Sequence, residues 1–75
     1  MDLIAGLGGK ANIQATENCF TRLRVNVADE SLINEELINN MKNSGIVRNG
    51  NDIQIIFGME VAKVRGQVEA ALEKL

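Results

Sequence analysis

The spacing of apolar residues changes several times along the chain, and each change marks an element. Leu3, Ile4 and Leu7 recur at helical spacing and stop at Gly8-Gly9, which predicts a short helix with a glycine end. Asn12 to Asn18 suits a strand with Ile13 and Ala15 on one face. From Arg22 to Val27 the alternation is clean, with Leu23, Val25 and Val27 set against Arg22, Arg24 and Asn26. That is the pattern of a half-buried strand with a polar outer face. The break between the two strands falls near Asn18-Cys19-Phe20.

The second half repeats the scheme. Ser31 is the expected N-cap of a helix whose early turns carry Glu35 and Glu36 and whose inner stripe is Ile33, Leu37 and Met41. Asn43-Ser44-Gly45 ends it. Ile46-Val47-Arg48 and Ile53 to Phe57 then flank Asn49-Gly50-Asn51-Asp52. An Asn-Gly pair between apolar runs predicts a hairpin. Val61, Val64, Val68, Ala71, Leu72 and Leu75 form the stripe of a closing helix.

The order is therefore α-β-β-α-β-β-α, an α+β fold in which one antiparallel sheet is covered by helices on one face. The open face would carry Arg22, Arg24, Asn26 and Gln54. Ile56 shares the parity of Gln54 and would be apolar on that face. A docking surface would explain it, although isolated exposed apolar side chains are common.

Composition narrows the function. The 75 residues allow a single domain, 1–75, with a thin core that an oligomer or a larger parent chain would support. The chain contains no His and one Cys, so a zinc finger or other multi-ligand metal site, a Ser-His-Asp apparatus and an internal disulfide are all excluded. Gly6, Gly8 and Gly9 lack nucleotide-loop spacing and read as helix stop and loop, and no cofactor is expected. No apolar run approaches the ~20 residues of a membrane span, and Met1 to Gly9 lacks the basic start of a signal peptide. The expectation is a soluble, cytoplasmic domain. The absence of a proline linker and the ending at Leu75 suggest a domain trimmed from a longer chain. A net charge of −2 and two Phe without Trp or Tyr argue against nucleic acid. The acidic residues Asp29, Glu30, Glu35 and Glu36 read as a solvated helix start, with no facing cluster for acid–base work.

Cys19 is the one nucleophile with a suggestive neighbourhood. A lone Cys is more often a small buried hydrophobe. This one, however, falls between two strands, with Arg22 and Arg24 on one face of the second. Positive charge beside a thiol favours the thiolate, the nucleophilic form. Exposed arginines often serve only solubility. Two at i and i+2 differ in that both forks project from one face, about 7 Å apart, a spacing that suits a tetrahedral dianion. Thr21 adds a hydroxyl, and amides turning after Cys19 would form an anion nest.

These residues resemble a known family. Leu7-Gly8-Gly9-Lys10-Ala11-Asn12-Ile13 followed by Cys19-Phe20-Thr21-Arg22-Leu23-Arg24-Val25 and ending at Asp29 is similar to the phosphocysteine signature of the IIB domain of the bacterial phosphotransferase system, glucose/sucrose type. Gly45-Ile46-Val47 and Gln54-Ile55-Ile56-Phe57-Gly58 also look like that family. Ala11, where members often carry an acidic residue, and the Asn-rich stretch from Asn39 to Ser44 depart from it, away from the site. The resemblance implies a four-stranded antiparallel sheet with three helices on one face. It also implies that Cys19 accepts a phosphoryl group from a phosphohistidine of the IIA domain and passes it to a sugar held by the membrane-embedded IIC domain. In that scheme Phe20, Thr21, Arg22, Arg24 and Gln54 bind the phosphoryl group, and the domain works at the cytoplasmic face of the membrane. The alternatives are a non-catalytic regulatory or docking module of the same fold, which would have no need of Cys19 with both arginines, and a thiol redox sensor, which would lack a resolving Cys.

Overall fold

The computed structural model describes all residues from Met1 to Leu75. Its elements are α1 (Asp2–Gly6), β1 (Ile13–Asn18), β2 (Arg22–Val27), α2 (Glu35–Ile38), β3 (Gly45–Asn49), β4 (Asp52–Ile56) and α3 (Val61–Glu73). Single 3-10 turns at Lys10–Asn12, Glu30–Leu32 and Gly58–Glu60 join them. The four strands form one antiparallel sheet in the order β1-β2-β4-β3. Leu23, Val25, Val27, Ile53 and Ile55 from the central strands pack against Leu3, Ile4, Leu7, Ile38, Val61, Val64 and Val68 from the helices, all buried. The predicted α+β layout is the observed one, and the radius of gyration is 10.8 Å.

Strand β1 departs from the expected pattern. Ile13 pairs with Val27 but Ala15 pairs with Asn26, so a bulge at Gln14 absorbs one residue. Beyond it the parity is reversed. Ala15 and Glu17 stand opposite Asn26 and Arg24 on the open face, while Thr16 and Asn18 stand opposite Val25 and Leu23 on the helix side. Ala15 is exposed rather than sharing the inner face with Ile13. Simple alternation from Ile13 would have placed Glu17 under the helices, where an unpaired carboxylate is costly.

The second helix is also shorter than its stripe suggests. Asp29, not Ser31, caps the 3-10 turn by accepting from the Ser31 amide, and Asn34 caps α2 by accepting from the Leu37 amide. Ile38 is the fully buried residue, and Ile33 and Met41 pack only partly against the core. The Asn43 side chain donates to Asn39 Oδ1 and the Met41 carbonyl and accepts from the Gly45 amide. Such local bonds compete with helix continuation. Gly6 is not a stop but a crossing point. A Cβ there would lie 2.7 Å from Ile38 Cγ1 and 2.9 Å from the Asn34 carbonyl, so α1 and α2 meet backbone to backbone. Leu75, placed in the closing stripe, lies beyond the end of α3 and is exposed. The β3–β4 turn is Gly50-Asn51, with Gly50 at φ 59°, and Asn49 pairs with Asp52 inside the ladder.

Candidate functional site

The β1–β2 connection is a tight turn that presents Cys19, Phe20 and Thr21 to solvent. The Cys19 amide donates to the Arg22 carbonyl at 3.0 Å, and Cys19 Sγ lies 3.9 Å from the same oxygen. Asn18 Nδ2 donates to the Cys19 carbonyl at 3.1 Å. The Thr21 carbonyl accepts from the amides of both Phe57 and Gly58, at 2.8 and 3.0 Å, which ties the turn to the end of β4. The amides of Phe20 and Thr21 have no partner within the chain. Backbone donors left open beside a nucleophile form an anion-receptive nest.

Arg22 and Arg24 project from the open face of β2, as their parity requires. The Arg22 Nη1 donates to Gln54 Oε1 at 3.1 Å. Gln54 sits opposite Arg24 on β4, and Ile56 opposite Arg22, so Gln54 reaches Arg22 diagonally across the strands. Ile56 is half-buried on this face. The chain's ion pairs are Arg48–Glu35 and Arg65–Glu69, which leaves both site arginines without a carboxylate within 4 Å. Their charge is therefore available to an incoming anion. Neither guanidinium bonds to Cys19; its Sγ has the Arg22 carbonyl as its hydrogen-bond partner.

A shallow depression of about 160 Å³ on the open face is lined by Arg24, Asn26 and Gln54, but also by Glu17 and Asp52. Its two carboxylates make it a poor anion site, and Cys19 lies outside it, in a separate open hollow with Asn18 and Phe20. The anion-receptive corner is the Cys19 turn with the Arg22 end of the strand.

Sequence reasoning gave no role to Met59 and Arg65, which lie beside this corner, or to Asn12 at the far end of its hairpin. Met59 is 93% exposed and Phe20 94%, on two loops that the Thr21 carbonyl holds together. Arg65 Nη1 on α3 donates to Asn18 Oδ1 at 3.1 Å, from the helix layer to the base of the turn. Asn12 is buried, and its Nδ2 donates to the carbonyls of Leu7 and Asp29. An Asn at the start of a strand is a visible oddity, because the residue is depleted there. The pairing of Asn18 with Arg65 has no such mark, since it depends on the β1 bulge.

Fold and site together define a class, a small α+β domain that presents a cysteine on an anion-receptive hairpin turn. The phosphotransferase system EIIB family model matches residues 2–34, the stretch from α1 through the Cys19 turn. The N-acetylglucosamine-specific EIIB component of Streptomyces coelicolor is 37% identical over 67 residues, which cover 89% of this chain and 87% of that protein. The alpha-glucoside-specific EIICB component of Leptotrichia buccalis is 41% identical over 73 residues, 96% of this chain but 14% of that protein. A crystal structure of one domain of the phosphotransferase system IIabc component from Clostridium difficile superposes with a TM-score of 0.74 at 33% identity, covering 85% of this chain and 70% of that one. The chain belongs to the EIIB family of the phosphotransferase system. It spans about a seventh of the length of the first EIICB relatives it matches, and no helix in it is long and apolar enough to cross a membrane.

Proposed function

We propose that this domain is a phosphocarrier in a sugar uptake system, and that Cys19 carries the phosphoryl group. The observation that supports this most directly is the Cys19 turn itself: an exposed thiol, two unpartnered amides directly after it, and two arginines on the adjoining strand that form no ion pair. Sγ attacks the phosphorus of a phosphohistidine on a IIA domain. The S–P bond forms as the P–N bond breaks, and the thiol proton ends on the released imidazole. In the second step a sugar hydroxyl held by a IIC membrane domain attacks phosphorus, the S–P bond breaks, and the hydroxyl proton returns to sulfur. No internal base is needed, because phosphoryl transfer depends mainly on in-line positioning and charge stabilisation. The Phe20 and Thr21 amides, the Thr21 hydroxyl, Arg22 and Arg24 supply that stabilisation, and Gln54 holds Arg22 in place.

The exposure of the turn fits a site that two large partners visit in turn. Several relatives are EIICB components, which supports a IIC partner at the cytoplasmic face of the membrane. The test is incubation of the 75-residue chain with a IIA domain charged on histidine. The expected result is a gain of about 80 Da, one phosphoryl group, that peptide mapping locates on Cys19. An unmodified Cys19 would remove the proposal and leave the non-catalytic reading.

A further inference from the structure

Resting on the proposed role of Cys19, we propose that Arg65 and Asn18 form a positioning relay that aims the Phe20 amide at the phosphoryl group. The relay starts on α3. Arg65 Nε lies 2.7 Å from Glu69 Oε1, one turn further along. The carboxylate sits off the N–H axis, so this is an ion pair rather than a hydrogen bond. Arg65 Nη1 then donates to Asn18 Oδ1 at 3.1 Å, and Asn18 Nδ2 donates to the Cys19 carbonyl at 3.1 Å.

The chemistry admits one orientation of the Asn18 amide. Its carbonyl faces a guanidinium, which only donates, and its NH₂ faces a carbonyl, which only accepts. A flipped amide would set donor against donor and acceptor against acceptor. Asn18 reaches α3 at all because of the bulge at Gln14, which turns Asn18 to the helix side opposite Leu23.

The consequence for the site follows from peptide planarity. The chain has no cis bonds, so the Phe20 N–H belongs to the same rigid trans unit as the Cys19 carbonyl and points the opposite way. Holding that oxygen against Asn18 turns the Phe20 N–H away from α3 and leaves it unpartnered. Arg65 thus acts on the phosphoryl site through Asn18 and one peptide plane. In a four-residue turn otherwise held by backbone bonds at Cys19 and Thr21, this is the side-chain bond that fixes the peptide following the nucleophile.

The test measures the initial rate of Cys19 phosphorylation by a histidine-charged IIA domain, followed by intact mass. It compares the wild-type chain, Asn18→Ala, Arg65→Met and the double variant. Arg65→Met keeps the packing of the stem and loses every donor. Misplacing a reacting group by an ångström costs up to ~100-fold, so each single variant is expected to lose ~10–100-fold. The double variant should lose no more than the worse single, because both break one relay. The Phe20 amide resonance should shift in both singles while those of Val25 and Ile53 stay in place, which separates a moved peptide from a lost fold. Unchanged rates would overturn the relay. So would losses that multiply in the double variant, which would mean that Arg65 acts through its charge alone. A wild-type Cys19 that takes no phosphoryl group would instead overturn the phosphocarrier reading on which the relay rests.

Discussion

The side chain of Asn12 holds both backbone groups of Asp29: Nδ2 donates to the Asp29 carbonyl at 3.0 Å and Oδ1 accepts from the Asp29 amide at 2.8 Å. Asn12 also donates to the Leu7 carbonyl at 2.9 Å, so one buried amide joins the end of α1 to the exit of β2. These residues begin and end the stretch that carries Cys19. They close the base of the β1–β2 hairpin, and the nucleophile sits at its tip. One part of the motif builds the hairpin and the other part does the chemistry.

Replacing Asn12 with Ala should destabilise the domain by about 2–3 kcal/mol, because the Leu7 carbonyl and the Asp29 amide lose their partner and the Asp29 carbonyl keeps only the Leu32 amide. Gly8→Ala should act on the same joint. Gly8 has φ 95°, and a Cβ would lie 2.5 Å from Asn12 Nδ2. Strain and collision together should cost more than the ~1 kcal/mol that a conformationally compatible Gly→Ala change gains. Urea unfolding measures both. Because the two changes share one contact, the double variant should lose less than the sum.

Asp29 makes a pH prediction of definite sign. Its carboxylate accepts from the Ser31 hydroxyl at 2.6 Å and the Ser31 amide at 2.9 Å. The hydroxyl bond, then the amide bond, hold the carboxyl below its ordinary value of 3.8. A lowered folded-state value means stability that is present above about pH 4 and lost as pH falls through the folded value. Asp29→Asn keeps an acceptor but cannot ionise. The wild type should therefore melt higher than Asp29→Asn at neutral pH, and the gap should close below pH 3.8. A gap independent of pH would mean that the ionised form contributes nothing.

The fold was legible where burial alone decides the pattern. Strand β2 alternates without exception because one of its faces is core and the other is open. The last helix keeps its stripe from Val61 to Val68 for the same reason. Legibility failed where one backbone event changes the register or where hydrogen bonds outweigh propensity. The bulge at Gln14 inserts a residue that no apolar pattern announces and inverts the faces of Ala15 and Glu17. The helix expected from Ser31 is divided because Asp29 and Asn34 each cap a separate turn. At the site, Cys19, Thr21, Arg22 and Arg24 were visible because they are close in sequence. Arg65 is 47 positions from Asn18 and becomes a neighbour only when α3 packs on β1.

Cys19→Ser should abolish phosphorylation by the IIA donor and leave the fold unchanged. A hydroxyl is far less acidic than a thiol, and the chain contains no His to activate it. Cys19 is exposed and makes one weak side-chain contact, to the Arg22 carbonyl at 3.9 Å, so the melting temperature should barely move. A Ser variant that still supported sugar phosphorylation at the wild-type rate would show that the carrier lies elsewhere.

The two arginines should respond differently to Lys, because only one of them is held. Lys keeps the charge and loses the planar fork, so long-range attraction survives and bidentate geometry does not. Arg22 is pinned by Gln54 at 3.1 Å and stands next to the Cys19 turn. Arg24 is exposed, makes no side-chain hydrogen bond or ion pair, and sits one pleat further along β2. Removing a preorganised charge stabiliser typically costs ~10²–10³ in rate, and Arg22→Lys should lose transfer to sugar by that factor. An Arg24 with no side-chain partner has less preorganisation to lose, so Arg24→Lys should lose less. Gln54→Ala should reproduce part of the Arg22→Lys defect while both arginines are still present, since it frees the guanidinium without removing it. Stability should change by no more than about 0.5 kcal/mol in each case, as for other open-face substitutions. Steady-state transfer rates with circular dichroism as the fold control decide the matter. Equal losses in the two Lys variants, with Gln54→Ala silent, would reduce the Arg22–Gln54 bond to a surface contact and leave the two charges as the whole of the arginine contribution.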